Sequence, residues 1–251
     1  MKLDSTAAII TGGASGLGEA TGRYFASQGA QVTLLDRDAD RGESVAKEIG
    51  GHFVMTDVTD ETSVQEAVDY AHDKMGWITA AVNCAGIALG IKTTGRDGPH
   101  PLDAFQRTVD INLVGSFNVA RLAAVAMAKN SPEDDGARGV IINTASIAAF
   151  DGQKGQAAYA ASKGGIVGMT LPMARDLAKD GIRVMTIAPG IFKTPMLAGL
   201  PEEVQAELAK DVPNPARLGD PSEYGRLAGF IVEMGYLNGE VIRLDGALRM
   251  R

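Results

Sequence analysis

The sequence predicts an α/β domain in which one doubly wound parallel sheet of about seven strands carries helices on both faces. Short apolar runs alternate with longer segments whose apolar residues recur at helical spacing, an order typical of βαβ units. The runs are almost continuously apolar, as strands buried on both faces are. The 251 residues are 45% hydrophobic, which suffices for one large core, and no composition shift marks a boundary. We therefore expect residues 1–251 to form a single domain.

Strands and helices are expected to alternate along the chain. The strands are predicted at residues 6–11, 31–36, 52–56, 78–83, 139–145, 182–188 and 240–245. The main helices are predicted at residues 17–28, 39–49, 61–75, 102–129, 156–179 and 221–233. Residues 190–219 instead mix glycine, proline and polar residues around a short helical piece, EEVQAELAK. Such a segment is typical of a flap over a ligand site, and we predict that role for it.

Composition excludes several classes of protein. The net charge of −7 argues against nucleic acid as the main partner. The single cysteine, Cys84, excludes an intramolecular disulfide and is typical of a reducing compartment. No apolar run reaches the ~18 residues of a membrane span, and the first predicted strand follows the N-terminus too closely for a targeting segment. The three histidines are scattered, so no metal site is expected. We predict a cytoplasmic protein without a membrane partner.

A glycine-rich loop, TGGASGLG at residues 11–18, follows the first predicted strand and opens the first helix. Gly12, Gly16 and Gly18 would allow a tight turn and a close approach of the backbone to a pyrophosphate, which the helix N-terminus would face. The spacing differs from the G-x-G-x-x-G pattern, and a glycine-rich loop alone is weak evidence. The strand–loop–helix setting nevertheless favours a Rossmann-like dinucleotide site over a plain turn.

The second predicted strand ends in a carboxylate, Asp36, 18 residues after Gly18. A carboxylate at that place accepts hydrogen bonds from both hydroxyls of the adenosine ribose and repels a 2′-phosphate. The adjacent Arg37 would weaken this discrimination, whereas Ser15 adds no cation to the loop. The residues therefore favour NAD over NADP.

Two further strand ends carry candidate cofactor contacts. Asp57 and Val58 follow the third strand, where they would bound the adenine, and Cys84, Ala85 and Gly86 follow the fourth, where their backbone would face the second ribose. Each segment taken singly is equally consistent with a turn. Together they favour a ligand site, because parallel α/β sheets bind ligands at the carboxyl ends of their strands.

Tyr159 and Lys163 stand four residues apart in the predicted helix AAYAASKGGIVGMTL, so they share one helix face. A free phenol has a pKa of about 10, and a nearby ammonium lowers it toward neutral pH. Such a pair is common by chance. Ser146 lies 13 residues upstream at the end of the strand-like run VIINTA, and taken alone it is more typical of a strand-end cap. The three residues together favour proton transfer at a substrate oxygen.

With these motifs the chain resembles the short-chain dehydrogenase/reductase family over essentially its whole length, and within it a subgroup of 3-hydroxyacyl-CoA dehydrogenases. Cys84 replaces the second asparagine of the commoner NNAG motif, and we interpret it as a packing residue rather than a nucleophile. The matching pieces are TGGASGLG, Asp57, the NCAG block, Asn112 in DINLVGSF, Ser146, YAASK and PGIFKTP.

The resemblance implies definite roles for the catalytic and substrate residues. Tyr159 would give or take the proton at the carbinol oxygen, and Ser146 would donate a hydrogen bond to the same oxygen. Lys163 would lower the pKa of Tyr159 and bind the nicotinamide ribose. Asn112 would anchor a water in a proton relay, and Gln153 would contact the acyl substrate.

The resemblance also implies a complete set of cofactor contacts, with three residues after the sixth strand holding the nicotinamide carboxamide. That set consists of Gly12, Ser15, Gly16, Leu17, Gly18, Asp36, Asp57, Val58, Cys84, Ala85, Gly86, Tyr159, Lys163, Pro189, Gly190 and Thr194.

The implied activity is the NAD-dependent interconversion of a secondary alcohol and a ketone, above all of (S)-3-hydroxyacyl-CoA and 3-oxoacyl-CoA, including short branched chains. Alternatives are an NADPH-dependent 3-oxoacyl carrier-protein reductase, another alcohol or steroid dehydrogenase of the family, and a non-catalytic NAD-binding scaffold. The resemblance further implies a role in fatty acid metabolism and a homotetramer. The many alanines and glycines around Tyr159 would let that helix pack closely on a second copy, beside Val114, Phe117, Leu122 and Val125.

Overall fold

The computed structural model describes residues 1–96, 98–198 and 202–250. Its strands are β1 (Ala7–Thr11), β2 (Gln31–Asp36), β3 (His52–Met55), β4 (Ala80–Asn83), β5 (Thr94–Gly95), β6 (Gly98–Pro99), β7 (Gly139–Thr144), β8 (Ile182–Pro189) and β9 (Val241–Leu244). Its α-helices are α1 (Gly16–Ser27), α2 (Ala39–Ile49), α3 (Glu61–Met75), α4 (Leu102–Val109), α5 (Gly115–Met127), α6 (Ala148–Asp151), α7 (Ala157–Asp176), α8 (Pro195–Ala198), α9 (Glu202–Lys210) and α10 (Pro221–Glu233).

Seven of these strands form one parallel sheet in the order β3-β2-β1-β4-β7-β8-β9. This confirms the predicted doubly wound sheet, because the strand order reverses direction between β1 and β4. In register, Thr11 at the end of β1 lies beside Asn83 of β4, and Asn83 lies beside Asn143 of β7. The crevice at such a switch point is where these sheets bind ligands.

The sheet is covered on both faces, as the sequence predicts. Alternate residues of a strand point to opposite faces, so Ile9 and Ile10 enter two different apolar clusters. The first cluster includes side chains of α3, α5 and α7, and the second includes side chains of α1, α2 and α10. Each helix thus buries an apolar stripe against one face of the sheet.

The longest apolar helical stretch runs through α4, a π-helical turn at Asp110–Val114, and α5. This stretch, Leu102–Met127, is long and apolar enough to cross a membrane by length and composition, with a mean hydropathy of 1.3 over its best window. The sequence predicts no membrane span here, because polar residues interrupt the stretch. Half of that window is buried inside the protein, as in a helix that packs on a core. The π-helical turn matters for the site, because such turns often redirect a functional residue.

Two features of the fold go beyond the sequence prediction. The antiparallel hairpin of β5 and β6 and the short helices α6 and α8 are too short to carry a detectable period. The helix expected at 156–179 is divided into α7 and a 3₁₀ turn, Ala178–Asp180. The helical piece EEVQAELAK predicted within residues 190–219 is confirmed as α9, and residues 199–201 lie outside the described part of the chain.

Candidate active site

The glycines of the loop after β1 are required by close backbone contacts. A Cβ on Gly18 would lie 2.2 Å from the carbonyl oxygen of Gly12, and one on Gly12 would lie 2.9 Å from the nitrogen of Ala85. Gly12 and Gly16 also adopt positive φ angles of 66° and 56°. Ser15 precedes α1 without a side-chain cap hydrogen bond, so its side chain does not satisfy the amides of the first helical turn. The loop can therefore hold a phosphate group close to backbone N–H groups.

Asp36 is held at the end of β2 by backbone amides. One carboxylate oxygen accepts from the amide of Ala14 at 3.0 Å, and the other accepts from the amide of Asp38 at 3.1 Å. The nearby cations have acidic partners. Arg37 lies 3.7 Å from Asp57, and a terminal nitrogen of Arg41 lies 3.2 Å from a carboxylate oxygen of Glu19.

The ends of β3 and β4 complete this side of the crevice. Asp57 accepts from the amide and hydroxyl of Thr59, and these bonds hold the pKa of its carboxyl below the ordinary value. After β4, the hydroxyl oxygen of Thr11 accepts from the amides of Cys84 and Ala85, both at 3.1 Å. Burial raises the pKa of the Cys84 thiol, which supports its interpretation as a packing residue.

Ser146 and Tyr159 meet at the carboxyl end of β7. Ser146 is only 8% exposed, its oxygen accepts from the amide of Ala148 at 3.1 Å, and its side chain hydrogen-bonds to Tyr159. Burial raises the pKa of the Tyr159 phenol, and the bond to Ser146 lowers it less. The sequence predicts a lowered pKa for this phenol, and that direction is wrong in this structure, because burial outweighs the surrounding polar groups.

Lys163 lies one turn further along α7 and is 5% exposed. Its ammonium lies 5.8 Å from the centroid of the Tyr159 ring and donates to the backbone carbonyl of Thr144 at 2.7 Å. Burial lowers the pKa of Lys163 to about 8. The serine, tyrosine and lysine singled out in the sequence therefore come together, with the cation still mostly charged at pH 7.

Asn112 lies in the π-helical turn and is fully buried. Its side-chain oxygen accepts from the amide of Ile87 at 2.8 Å, while its side-chain nitrogen donates to the carbonyl of Ile87 and to the hydroxyl of Ser162. The side chain therefore ties the loop after β4 to α7. The water relay that the resemblance implies for Asn112 stays a prediction.

A cavity of about 570 Å³ joins these groups. All sixteen predicted cofactor residues line it, as does Ser146. Asn112 does not line it, although Ile111 does. Gln153 is exposed and does not line it either; Gln156 does, and its side-chain oxygen accepts from the Gln153 amide at 2.9 Å. The substrate contact predicted for Gln153 therefore stays a prediction, and the structure places Gln156 at the wall instead.

Several lining residues have no chemical signature in the sequence. Most of them are apolar side chains, many from the segments after β7, after β8 and at the C-terminus, and such residues look like core in any pattern. Arg107 differs from these residues because it is charged. It lies four residues before Ile111, on the same helix face, and both residues line the cavity. The lining residues missed by the sequence are Leu35, Thr56, Ile87, Ala88, Arg107, Ile111, Thr144, Ala145, Ile147, Ala148, Gln156, Ile191, Phe192, Pro195, Leu197 and Met250.

A phosphate-binding loop, an acidic strand end and a buried serine–tyrosine–lysine group at the switch point of a parallel sheet define a nicotinamide-dependent oxidoreductase. A family model described as short chain dehydrogenase matches residues 6–205, and the chain belongs to this family. Members of the family use a nicotinamide cofactor, and this chain is an oxidoreductase.

Named relatives are similar over nearly the whole chain. A human protein named 3-hydroxyacyl-CoA dehydrogenase type-2 is 58% identical over 248 residues, which cover 97% of this chain and 95% of the relative. A Drosophila melanogaster protein of the same name is 56% identical over 99% of both chains. A crystal structure of 3-hydroxyacyl-CoA dehydrogenase type-2 from Mycobacterium avium has a TM-score of 0.95 and 44% identity, and the match covers 99% of this chain and 98% of the other.

Proposed function

We propose that the protein is an NAD-dependent dehydrogenase that interconverts (S)-3-hydroxyacyl-CoA and 3-oxoacyl-CoA, including short branched chains, in fatty acid metabolism. The observation that carries the reaction type is the hydrogen-bonded pair of Ser146 and Tyr159 beside buried Lys163, in the same cavity as Asp36. The acyl-CoA substrate is supported by the names of the relatives at 56–58% identity.

The proposed roles follow from the positions of the side chains. Nicotinamide supplies or accepts the hydride when it is bound. Tyr159 then moves the proton at the substrate oxygen, and Ser146 donates a hydrogen bond to that oxygen as charge develops on it. Lys163, with a pKa of about 8, carries its charge at pH 7. Burial raises the pKa of Tyr159, and we propose that the field of this ammonium offsets part of that rise in favour of the phenolate.

The choice of NAD over NADP is supported by the surroundings of Asp36. A 2′-phosphate placed there would meet the carboxylate and would need a free cation to offset the repulsion. Arg37 lies beside Asp57, and Arg41 lies between Glu19 and the carbonyl of Ala14, to which its Nε donates at 3.1 Å. Both candidate cations therefore already have partners. This argues against the NADPH-dependent carrier-protein reductase.

The acyl group would lie against the apolar part of the cavity wall. Ile147, Ile191, Phe192 and Met250 line that part, and Leu248, behind it, packs with Ile147. We propose that residues 190–219 act as a flap over this wall. The two ends of the segment are tied together, since Lys193 donates its amide to the carbonyl of Gly219 and Gly219 donates to that of Ile191, both at 2.9 Å. A segment closed at its base can move as a unit.

We further propose that the protein is a homotetramer. An open stripe along α7 supports this assembly, because the exposed residues Ala157, Ala161, Gly168 and Leu171, with half-buried Gly164 between them, recur on one face. A Cβ on Gly164 or Gly168 would meet no atom within 4 Å, whereas one on Gly165 would meet Leu113. Gly165 therefore serves packing within the chain.

The adjoining surface of the π-helical turn and α5 is apolar as well. Val114, Phe117 and Val125 are 48%, 46% and 59% exposed. Leu122, which the sequence groups with them, instead packs partly buried against the first core cluster. A self-complementary contact of this kind closes by two-fold symmetry.

Light scattering tests the assembly. The expected mass is four times the 26.2 kDa of one chain. Gly168→Arg should split the assembly into smaller units, because a long cation would fill the open stripe, whereas Lys47→Glu on exposed α2 should leave the mass unchanged. A wild-type mass equal to one chain would contradict the proposal. A mass of two chains would contradict the tetramer and support only a dimer with one interface.

A cytoplasmic location also belongs to the proposal, supported only by the single cysteine. Fractionation of cells that express the tagged chain would test it. Recovery of the chain in a membrane or organelle fraction would contradict it.

A steady-state screen tests the activity. Hydroxyacyl-CoAs of increasing length and branching, hydroxysteroids and simple secondary alcohols would be oxidised with NAD and with NADP, with the (R)-hydroxyacyl-CoAs as controls for handedness. The expected result is the highest kcat/KM for a short (S)-3-hydroxyacyl-CoA with NAD. A higher kcat/KM with NADP than with NAD would favour the rival reductase, and binding of NAD without any turnover would favour the scaffold.

A further inference from the structure

Three polar side chains form a closed triangle beneath the catalytic lysine, outside the proposed proton path. They are Cys84 after β4, Thr144 at the end of β7 and Tyr224 in α10. The Tyr224 hydroxyl lies 2.6 Å from the Thr144 hydroxyl, which lies 3.6 Å from the sulfur of Cys84, and that sulfur lies 3.7 Å from the Tyr224 oxygen. When thiol donates to phenol, phenol to threonine and threonine to sulfur, every donor of the triangle is used.

The Tyr224 corner of the triangle is rigidly placed. Tyr224 is 0% exposed. The start of α10 is fixed by a capping box in which Asp220 and Glu223 bond reciprocally to the backbone. A Cβ on Gly225 would lie 3.0 Å from the carbonyl oxygen of Ala20, so α10 packs tightly on α1 at this point. The phenol therefore reaches the end of β7 from a helix that has little freedom to shift.

The Thr144 corner faces the active site. Its hydroxyl belongs to the triangle, while its backbone carbonyl accepts from the ammonium of Lys163 at 2.7 Å. Thr144 is thus held on one side by Tyr224 and holds Lys163 on the other. A carbonyl that accepts a hydrogen bond favours the charged form of a buried lysine. It stabilises the ammonium more when the carbonyl is held in a fixed position.

We propose that Tyr224 is a positioning residue for Lys163: through the hydroxyl of Thr144 it fixes the carbonyl that accepts from the lysine ammonium. The inference rests on the roles proposed above for Tyr159 and Lys163. It assigns to α10, on the opposite face of the sheet from α7, an influence through Thr144 on the charge beside the catalytic phenol.

Tyr224→Phe removes the phenolic oxygen and keeps the ring that fills the core. We expect kcat for alcohol oxidation to fall about fivefold, the factor that corresponds to about 1 kcal/mol of lost hydrogen bonding. The KM for substrate and the Kd for NAD should stay within about twofold, because no ligand contact is removed. The acid limb of the kcat profile should move to higher pH, since a less well-held ammonium stabilises the Tyr159 phenolate less.

A matched control lies on the helix that packs against α10. Tyr24 of α1 packs beside Gly225 and Gly229, and its hydroxyl bonds to no described residue. Tyr24→Phe should leave kcat and the pH profile unchanged. Thr144→Val should reproduce the effect of Tyr224→Phe, and the double variant should lose no more than either single variant, because both act through one hydrogen bond.

A second measurement needs no turnover. The pKa of Lys163 can be followed by NMR of 13C-labelled lysine, with its signal identified by its loss in Lys163→Met. We expect a lower pKa in Tyr224→Phe than in wild type and Tyr24→Phe. If Tyr224→Phe only lowers the melting temperature, with kcat, pH profile and lysine titration like those of Tyr24→Phe, the inference is overturned. If wild type oxidises no tested substrate, the proposed function fails, while the lysine titration still decides the role of Tyr224.

Discussion

The two halves of the candidate site are built in different ways. Around β1 and β4 the cofactor side is shaped by backbone atoms in close contact, so that a Cβ on Gly18 would come within 2.2 Å of Gly12. Around β7 and α7 the catalytic side is shaped by buried polar side chains, each held by one or two hydrogen bonds. The first half is sensitive to added atoms at Gly12 and Gly18, and the activity of the second half depends on keeping its polar atoms. Variants of opposite kinds should therefore damage the two halves selectively.

The largest effect is expected from removing the catalytic oxygen. Tyr159→Phe keeps the ring packed but leaves no group to move the proton, so kcat should fall on the order of 10²–10⁴-fold. NAD should bind nearly as before, as measured by fluorescence titration. Tyr70→Phe, at an exposed position of α3, serves as the control and should retain full activity. Retention of more than about a tenth of wild-type kcat in Tyr159→Phe would contradict the assignment.

On the cofactor side, adding an atom is expected to be harmful. Gly18→Ala adds one carbon against the backbone of Gly12, where nothing can give way without opening the loop. The Kd for NAD should rise about ten- to a hundredfold, since overpacking costs about 1–3 kcal/mol. Gly90→Ala is the control, because its Cβ would meet nothing within 4 Å. An unchanged Kd in Gly18→Ala would show that the loop does not hold the cofactor.

Removing the buried charge of Lys163 should stabilise the folded protein. The pKa of Lys163 lies at about 8 in the folded chain against an ordinary 10.5, so the unfolded chain binds more protons between these values. The free energy of unfolding should therefore rise with pH between about 8 and 10.5. Below about pH 8 the folded protein bears the full cost of the buried charge. Lys163→Met should be inactive yet about 2 kcal/mol more stable at pH 7 by denaturant titration.

This gain in Lys163→Met should shrink as the pH approaches 10.5, the ordinary pKa of lysine. Lys47→Met, an exposed lysine in the last turn of α2, should show no such pH dependence. A variant at Lys163 that is less stable than wild type at pH 7 would mean that the hydrogen bond to Thr144 outweighs the cost of burial.

Among changes to residues that would touch the cofactor or substrate, the smallest effect is expected at Asp36, because its site is partly open to water. Asp36→Ala removes ribose hydrogen bonds and a repulsive charge together, so NAD should bind at least about tenfold more weakly and the preference should move toward NADP. Asp40→Ala changes the net charge equally without touching the cavity and should alter neither affinity. Equal Kd values for NAD in Asp36→Ala and wild type would place the ribose elsewhere.

Most of the fold could be predicted because its signals are local. The seven strands were predicted within two residues at each end, and the helices at 39–49, 61–75 and 221–233 match the observed bounds. Continuous apolar runs and helical periods are properties of short segments. Helix ends are also marked locally: the Asp220 side chain caps the start of α10, and Gly50 takes the left-handed conformation that ends α2. The sixteen cofactor residues line one cavity because all but Tyr159 and Lys163, which lie on α7, stand at or just after the carboxyl ends of parallel strands.

The sequence by itself therefore determined the order of the elements, the glycine loop and the serine, tyrosine and lysine at the site. Only the tertiary structure decided that Gln156 rather than Gln153 lines the cavity, and that burial raises rather than lowers the pKa of Tyr159. The bond between Thr144 and Tyr224 joins residues 80 apart in the chain. Such contacts, and the cost of burying a charge, depend on which faces pack together, which no local pattern of residues specifies.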